Sequence, residues 1–185
     1  PHTPLFADAE ARTATLAEGN EADWAPHDNL PDVYIAMGQT AENVAEYKQV
    51  SREAQDEFAA RSQNLSEQSL DEGYWADEIT PITLPDGTVV KDDDGIRRGT
   101  TAEKLSGLQP VFRPGGTVTA GNACPLNDGA AGVVVMSDTL AKELGLTPLA
   151  RIVSSGVSGL NPEIMGLGPI EAIKKALAKA GQTIS

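Results

Sequence analysis

An α/β fold is predicted by two runs of the same texture, DGAAGVVVMS (128–137) and ARIVSSGVSG (150–159). Both are continuous, small and apolar, the pattern of strands covered on both faces, and a helical stretch follows each. A third observation limits the fold. Two buried-type strands and two helices are too few to cover a parallel sheet, which in βαβ architectures draws on several more strands. The order of elements reads as a piece of a larger α/β protein, preceded by an acidic segment of helices and a hairpin.

The elements follow in order along the chain. Residues 1–31 are polar, acidic and broken by proline, an extended excursion with at most one short helix. TAENVAEY (40–47) is helical, and so is SREAQDEFAARSQNLSEQSLDEG (51–73). In the latter Ser51 is the N-cap and Glu53 places an anion in the first turn, where the helix dipole favours it. Ala54, Phe58, Leu65 and Leu70 form a thin apolar stripe, and Gly73 ends the run. EITPITLPDGTVVKDDDG (78–95) alternates about Pro85-Asp86-Gly87 and predicts a hairpin. Thr100 and Glu103 suit a capping box for a short helix reaching about Leu108. SDTLAKELGL is a capped helix with Gly145 near its end. PIEAIKKALAKAG (169–181) starts at Pro169, sets Ile170, Ile173 and Leu177 on one face, and has Gly181 past its end.

Composition narrows the function classes. Net charge is −13 over 185 residues, which argues against nucleic acid as the main partner. The imbalance sits in residues 1–100, with 21 acidic against 7 basic residues; residues 101–185 hold 6 against 7. Arg97, Arg98, Lys104 and Arg113 fall close together within this change and suit a small anion such as phosphate. A solvated face balancing Asp92, Asp93 and Asp94 is the competing reading. One cysteine, Cys124, excludes an internal disulfide framework or a cysteine-based metal cluster and fits a reducing cytoplasm. The longest apolar run, 130–136, is too short to span a bilayer, and the first residues lack the pattern of a signal peptide.

Five blocks carry a family resemblance: MGQTAENVA, SREAQDEFAARSQ, GTVTAGNACPLNDGAAGVVVMS, LTPLARIV and PEIMGLGPIEA. In this order and spacing they resemble the middle of a thiolase, most of all the degradative acyl-CoA thiolases of actinobacteria, from about Asn29 to the C-terminus. The resemblance implies two duplicated α/β halves and an inserted α+β loop domain that covers coenzyme A. Residues 1–126 would then be loop domain, 127–147 the end of the N-terminal half, and 148–185 the start of the C-terminal half. It also implies transfer of an acyl group between CoA thioesters: 3-oxoacyl-CoA plus CoA gives acetyl-CoA or propionyl-CoA and a shortened acyl-CoA, in fatty-acid or steroid side-chain breakdown. No covalently bound cofactor is implied, and dimers or tetramers are. The family's nucleophilic cysteine, its Gly-His-Pro histidine, its second cysteine and its Asn-Glu-Ala-Phe motif have no counterpart among these residues. His2 and His27 match no catalytic position, so the chain holds no catalytic residue and is expected to be inactive alone.

What the resemblance assigns is binding. Arg97 matches a position at the nucleotide end of CoA, where a guanidinium pairs with phosphate or lies over adenine; a salt bridge to Asp92–Asp94 is the alternative. Lys104 matches a position near the same end. Val111, Phe112, Ala120, Cys124 and Leu126 match the tunnel for the pantetheine arm, whose small apolar walls exclude water, with ordinary packing as the alternative. Met37 matches the acyl-pocket wall, and Ala36 leaves room for a longer acyl chain. Cys124, which a lone-cysteine loop would suggest as a nucleophile, has only Asn122 and Asn127 near it and no activating base. It reads as an inert lining residue. A non-catalytic CoA-binding or partner-binding module remains a rival, and it predicts that residues 129–136 and 150–157 pair in one closed core. A thiolase piece predicts strands of incomplete sheets instead.

Overall fold

The computed structural model describes residues 35–127 and 129–184. The excursion expected over residues 1–31 lies outside them. Helix α1 (Met37–Lys48) and helix α2 (Arg52–Asp71) are joined by Gln49, whose φ of 54° turns the chain back on itself. Ser51 caps α2 as expected, its hydroxyl accepting from the Ala54 N–H at 3.2 Å. A 3₁₀ turn (Tyr74–Asp77) leads to the hairpin, whose strands β1 (Ile82–Thr83) and β2 (Val89–Val90) pair antiparallel, Ile82 opposite Val90. The turn is Pro85-Asp86-Gly87: Gly87 has φ of 86°, and Asp86 accepts from the Thr88 N–H at 2.9 Å. Two residues per strand make a short ladder.

Helix α3 (Ala102–Ser106) is short, and its cap differs from the expectation. Thr101, not Thr100, accepts from the Lys104 N–H at 3.2 Å. The Thr100 hydroxyl instead donates to the Arg97 carbonyl at 2.5 Å, closing the preceding turn. Helix α4 (Asp138–Glu143) is capped by Ser137, and helix α5 (Gly168–Lys179) opens with Pro169. Gly145 and Gly181, both at φ of 66°, lie past their ends.

The two apolar runs correct the expectation of strands. Residues 129–136 and 150–157 have no regular structure and form no backbone ladder with each other or with any other described residue. Val134 is 85% exposed and Ile152 74%. The cause is physical: β-branched composition favours a pleat, but a strand exists only when a neighbour accepts and donates its backbone hydrogen bonds. The second run does find a helix. Ser154 and Ser158 donate to the carbonyls of Ala176 and Gly168, Lys179 donates to that of Ser155, and Gly156 packs on the α5 backbone. A Cβ at Gly156 would stand 2.2 Å from the Ala172 carbonyl oxygen. Helix α5 therefore docks through Ala172 and Ala176, while Ile170 and Ile173 stay exposed.

The apolar stripe of α2 is likewise outward. Phe58 is 69% exposed and Leu65 is exposed, while Asp56 and Ala60 are buried. The inward face is polar and fully matched. Arg52 Nε donates to Asp56 at 2.7 Å, and its terminal nitrogen donates to the Leu105 and Leu108 carbonyls at the end of α3. Asn122 completes Asp56 with a bond of 3.0 Å. Buried pairs hold because every lone pair and proton has a partner. Among the described residues no helix is long and apolar enough to cross a membrane. Replacing Asp56 with Ala leaves Arg52 and Asn122 unmatched and is expected to lower unfolding free energy by about 3 kcal/mol; equal urea midpoints for variant and parent would refute it.

Candidate functional site

Three of the expected site residues, Val111, Phe112 and Ala120, lie on one loop, residues 110–122, held by α1, α2 and α3. Its ends are tied by a bridge between Pro110 and Thr119 and by the Val111 N–H donating to the Val118 carbonyl at 3.0 Å. Helix α1 holds the loop with a polar stripe at helical spacing. Gln39 donates to the Phe112 carbonyl, and Arg113 donates to Asn43 at 2.5 Å and to Glu46 at 3.1 Å. Between them Glu42, 3% exposed, accepts from the backbone N–H and hydroxyl of Thr117 and from the Val118 N–H at 2.8–3.0 Å. From α2, Gln55 donates to the Thr117 hydroxyl at 2.9 Å.

This frame brings some expected residues together. The Phe112 ring stands over Gly38, close enough that any Cβ there would collide with it, so Phe112 meets the first turn of α1 where Met37 lies exposed. Val111 and Ala120 sit at the two sides of the bridged loop, both exposed. Gly121 closes on Leu105 of α3 and on Leu108 just past its end, where a Cβ would come within 2.6 Å of both side chains. Cys124 is free and exposed, and Leu126 is 105% exposed. Neither touches the rest of the set through a described hydrogen bond. Asn122, the nearest candidate partner for Cys124, spends its amide on Thr119, Thr117 and Asp56.

The four basic residues do not form one cluster. Arg113, on the loop, is held by α1 through Asn43 and Glu46. Arg98 donates twice to Asp71 and once to Glu67, a bidentate clasp that fastens the turn 97–99 to α2, helped by the Gly99 N–H on Glu67. Arg97 on that turn and Lys104 on α3 show a different pattern. The Arg97 guanidinium donates to the carbonyls of Asp94 and Ile96, and Lys104 Nζ to the Gly99 carbonyl at 2.7 Å. Among the described residues neither forms an ion pair, so the salt bridge of Arg97 to the Asp92–Asp94 carboxylates, the alternative reading, is not made. No group of three or more His, Cys, Asp or Glu among the described residues could hold a metal ion.

Sequence reasoning missed Glu42, Asp56 and Gln39, which shape the loop. The signal was there as polar residues at helical spacing, 39, 42, 43 and 46, opposite a loop of small residues with free backbone donors.

The chain has known counterparts. Residues 3–139 match the family described as thiolase, N-terminal domain, and the chain belongs to the thiolase family. It is 51% identical over 162 residues to an acetyl-CoA acetyltransferase of Cupriavidus necator, covering 84% of this chain and 41% of that protein. Among solved structures it is similar to the dimeric peroxisomal thiolase of Saccharomyces cerevisiae, with TM-score 0.76 and 41% identity, covering 89% of this chain and 44% of that one. It is also similar to human mitochondrial 3-ketoacyl-CoA thiolase in complex with CoA, with TM-score 0.72 and 45% identity, over 82% and 38% of the two chains. The chain spans about two fifths of the length of these relatives.

The clasp beneath Arg97 has a pH dependence with a definite sign. Hydrogen bonding to Arg98 holds the Asp71 carboxyl below its usual value of 3.8. A lowered folded value means the folded state binds the proton more weakly, so the clasp contributes fully above the ordinary range and is lost as pH falls through the lowered value. Arg98→Ala is expected to return Asp71 upward to the ordinary range, read by carboxyl-carbon NMR titration. An unchanged Asp71 midpoint would show that the clasp does not set it.

Proposed function

We propose that this chain is the CoA-covering part of an acyl-CoA thiolase, with residues 1–126 in the inserted α+β loop domain, 127–147 ending the N-terminal half and 148–185 opening the C-terminal half. The 51% identity to an acetyl-CoA acetyltransferase over 162 residues carries this reading. The unladdered apolar runs speak against the rival, since a self-contained binding module would pair them in one core, though they are not the incomplete-sheet strands expected of a thiolase piece. The whole enzyme would transfer acyl groups between CoA thioesters, cleaving 3-oxoacyl-CoA with CoA to acetyl-CoA or propionyl-CoA and a shortened acyl-CoA. Fatty-acid or steroid side-chain breakdown is the setting we assign to it. The lone cysteine supports a reducing compartment, the cytoplasm, as its place of work. The dimeric state of the yeast neighbour supports a homo-oligomer.

Thiolysis needs a thiolate nucleophile, a second group to move a proton, and donors for the thioester oxyanion. No residue of this chain is given those roles, which fall to the remaining thiolase segments. The chain binds and orients. Arg97 and Lys104 would meet the nucleotide end, where cations bonded only to backbone carbonyls keep their charge available to phosphate. Val111, Phe112, Ala120, Cys124 and Leu126 would wall the pantetheine arm, and Met37 the acyl group.

In a full-length thiolase carrying this segment, 3-oxoacyl-CoA is consumed in the presence of CoA, and Arg97→Ala raises KM for CoA about tenfold to a hundredfold, the worth of one charge-assisted hydrogen bond. The effect shrinks with pantetheine thioesters, which carry no nucleotide. Equal losses on both substrate types would make Arg97 structural, and no thiolysis by the parent would overturn the function. Cys124→Ser is expected to change turnover less than about tenfold, as one pocket contact is worth on the order of 1 kcal/mol. Covalent acetyl on Cys124 in mass spectrometry would contradict its inert role.

A further inference from the structure

The loop that carries the proposed pantetheine wall has an anchor that the binding reading does not use. Glu42 is 3% exposed, yet among the described residues it meets no cation. Its two oxygens are taken up by the loop: both accept from the Thr117 N–H at 2.9 Å, one from the Thr117 hydroxyl at 3.0 Å, and the other from the Val118 N–H at 2.8 Å. A buried carboxylate without a counter-charge is costly, and it persists where several donors converge on it. The loop in turn is shaped to the carboxylate. A Cβ at Gly116 would stand 2.3 Å from Glu42 Oε1 and 2.9 Å from the Arg113 carbonyl oxygen, so only glycine allows the approach.

What the anchor holds is specific. Val118 and Thr117 lie one and two residues from the bridge of Pro110 with Thr119, and Val111 bonds back to Val118. Val111 and Phe112 follow that bridge on one side and Ala120 on the other. The carboxylate therefore sets the base of a loop whose two rims are the proposed walls. We propose that Glu42 is a positioning residue for CoA-thioester binding: it fixes the spacing of the Val111–Phe112 and Ala120 rims through the Thr117–Val118 backbone, without touching substrate. The proposal rests on the reading of this chain as a CoA-covering thiolase segment. A carbonyl–amide side chain of the same size cannot serve, because Gln at this position turns one acceptor into a donor that faces backbone N–H groups.

The test uses the full-length enzyme, with active sites counted by titration and thermal midpoints recorded beside the kinetics. Glu42→Gln is expected to raise KM about tenfold, the worth of one lost bond to a charged group. The rise should be equal for CoA and pantetheine thioesters, since the rims line the arm that both share, and turnover per active site should change by less than about twofold. Gly116→Ala pushes the loop off the same carboxylate and should give the same split. Combined with Glu42→Gln it should add little, because both act through one contact. If either variant fails to fold, the other is read on the same axes. A lower thermal midpoint or fewer active sites with KM unchanged would make Glu42 merely structural and overturn the proposal. So would a KM effect confined to CoA. A parent enzyme that performs no thiolysis would overturn the functional reading beneath it, which separates the two failures.

Discussion

Two buried carboxylates, Glu42 on α1 and Asp56 on α2, hold the segment between them in place. Each is almost free of solvent and each is saturated, Glu42 by the backbone of Thr117 and Val118, Asp56 by Arg52 and Asn122. The loop 110–122 has few apolar side chains with which to hold itself down, and its buried backbone donors need partners. Carboxylates on two neighbouring helices meet that need. Arg52 carries the network on to the end of α3, and Asn122 ties Asp56 to Thr117 and Thr119. Loop, long helix and short helix are thus one hydrogen-bonded unit.

That arrangement explains a core unusual for its apolar content. Among the described residues the buried apolar ones are few and mostly small, Ala45, Ala60, Leu105, Val118 and Ala141, beside buried Gln39, Thr40 and Thr119. Polar satisfaction takes the place that side-chain interdigitation holds in most domains, and each member of such a network is expensive to lose. Arg98 fastens the turn that carries Arg97 to α2, and Lys104 of α3 bonds the Gly99 carbonyl of the same turn.

The apolar segments show the opposite condition. Residues 129–136 and 150–157 have the composition of central strands and none of their hydrogen bonds, and large valine and isoleucine side chains stand in solvent. Such surfaces mark contact with further structure. Their lack of pairing with one another agrees with a chain spanning about two fifths of its relatives.

The sequence by itself determined what is local. Ser51 and Ser137 start helices because a hydroxyl reaches a backbone N–H three residues on, Pro169 opens one because its fixed φ suits a first turn, and Asp86-Gly87 reverses the chain within four residues. The ordered blocks also carried the family. Tertiary structure decided which face of each helix is inside. Phe58 and Leu65 made the apolar stripe visible in α2, but Arg52, Asp56 and Ala60 turn inward, because the neighbouring segment offers backbone and amide groups rather than apolar surface. A polar stripe looks the same in sequence whether it meets water or a loop's N–H groups 75 residues away. The strand runs show the same limit: their residues favour a pleat, but only a neighbouring segment can supply the hydrogen bonds that make one.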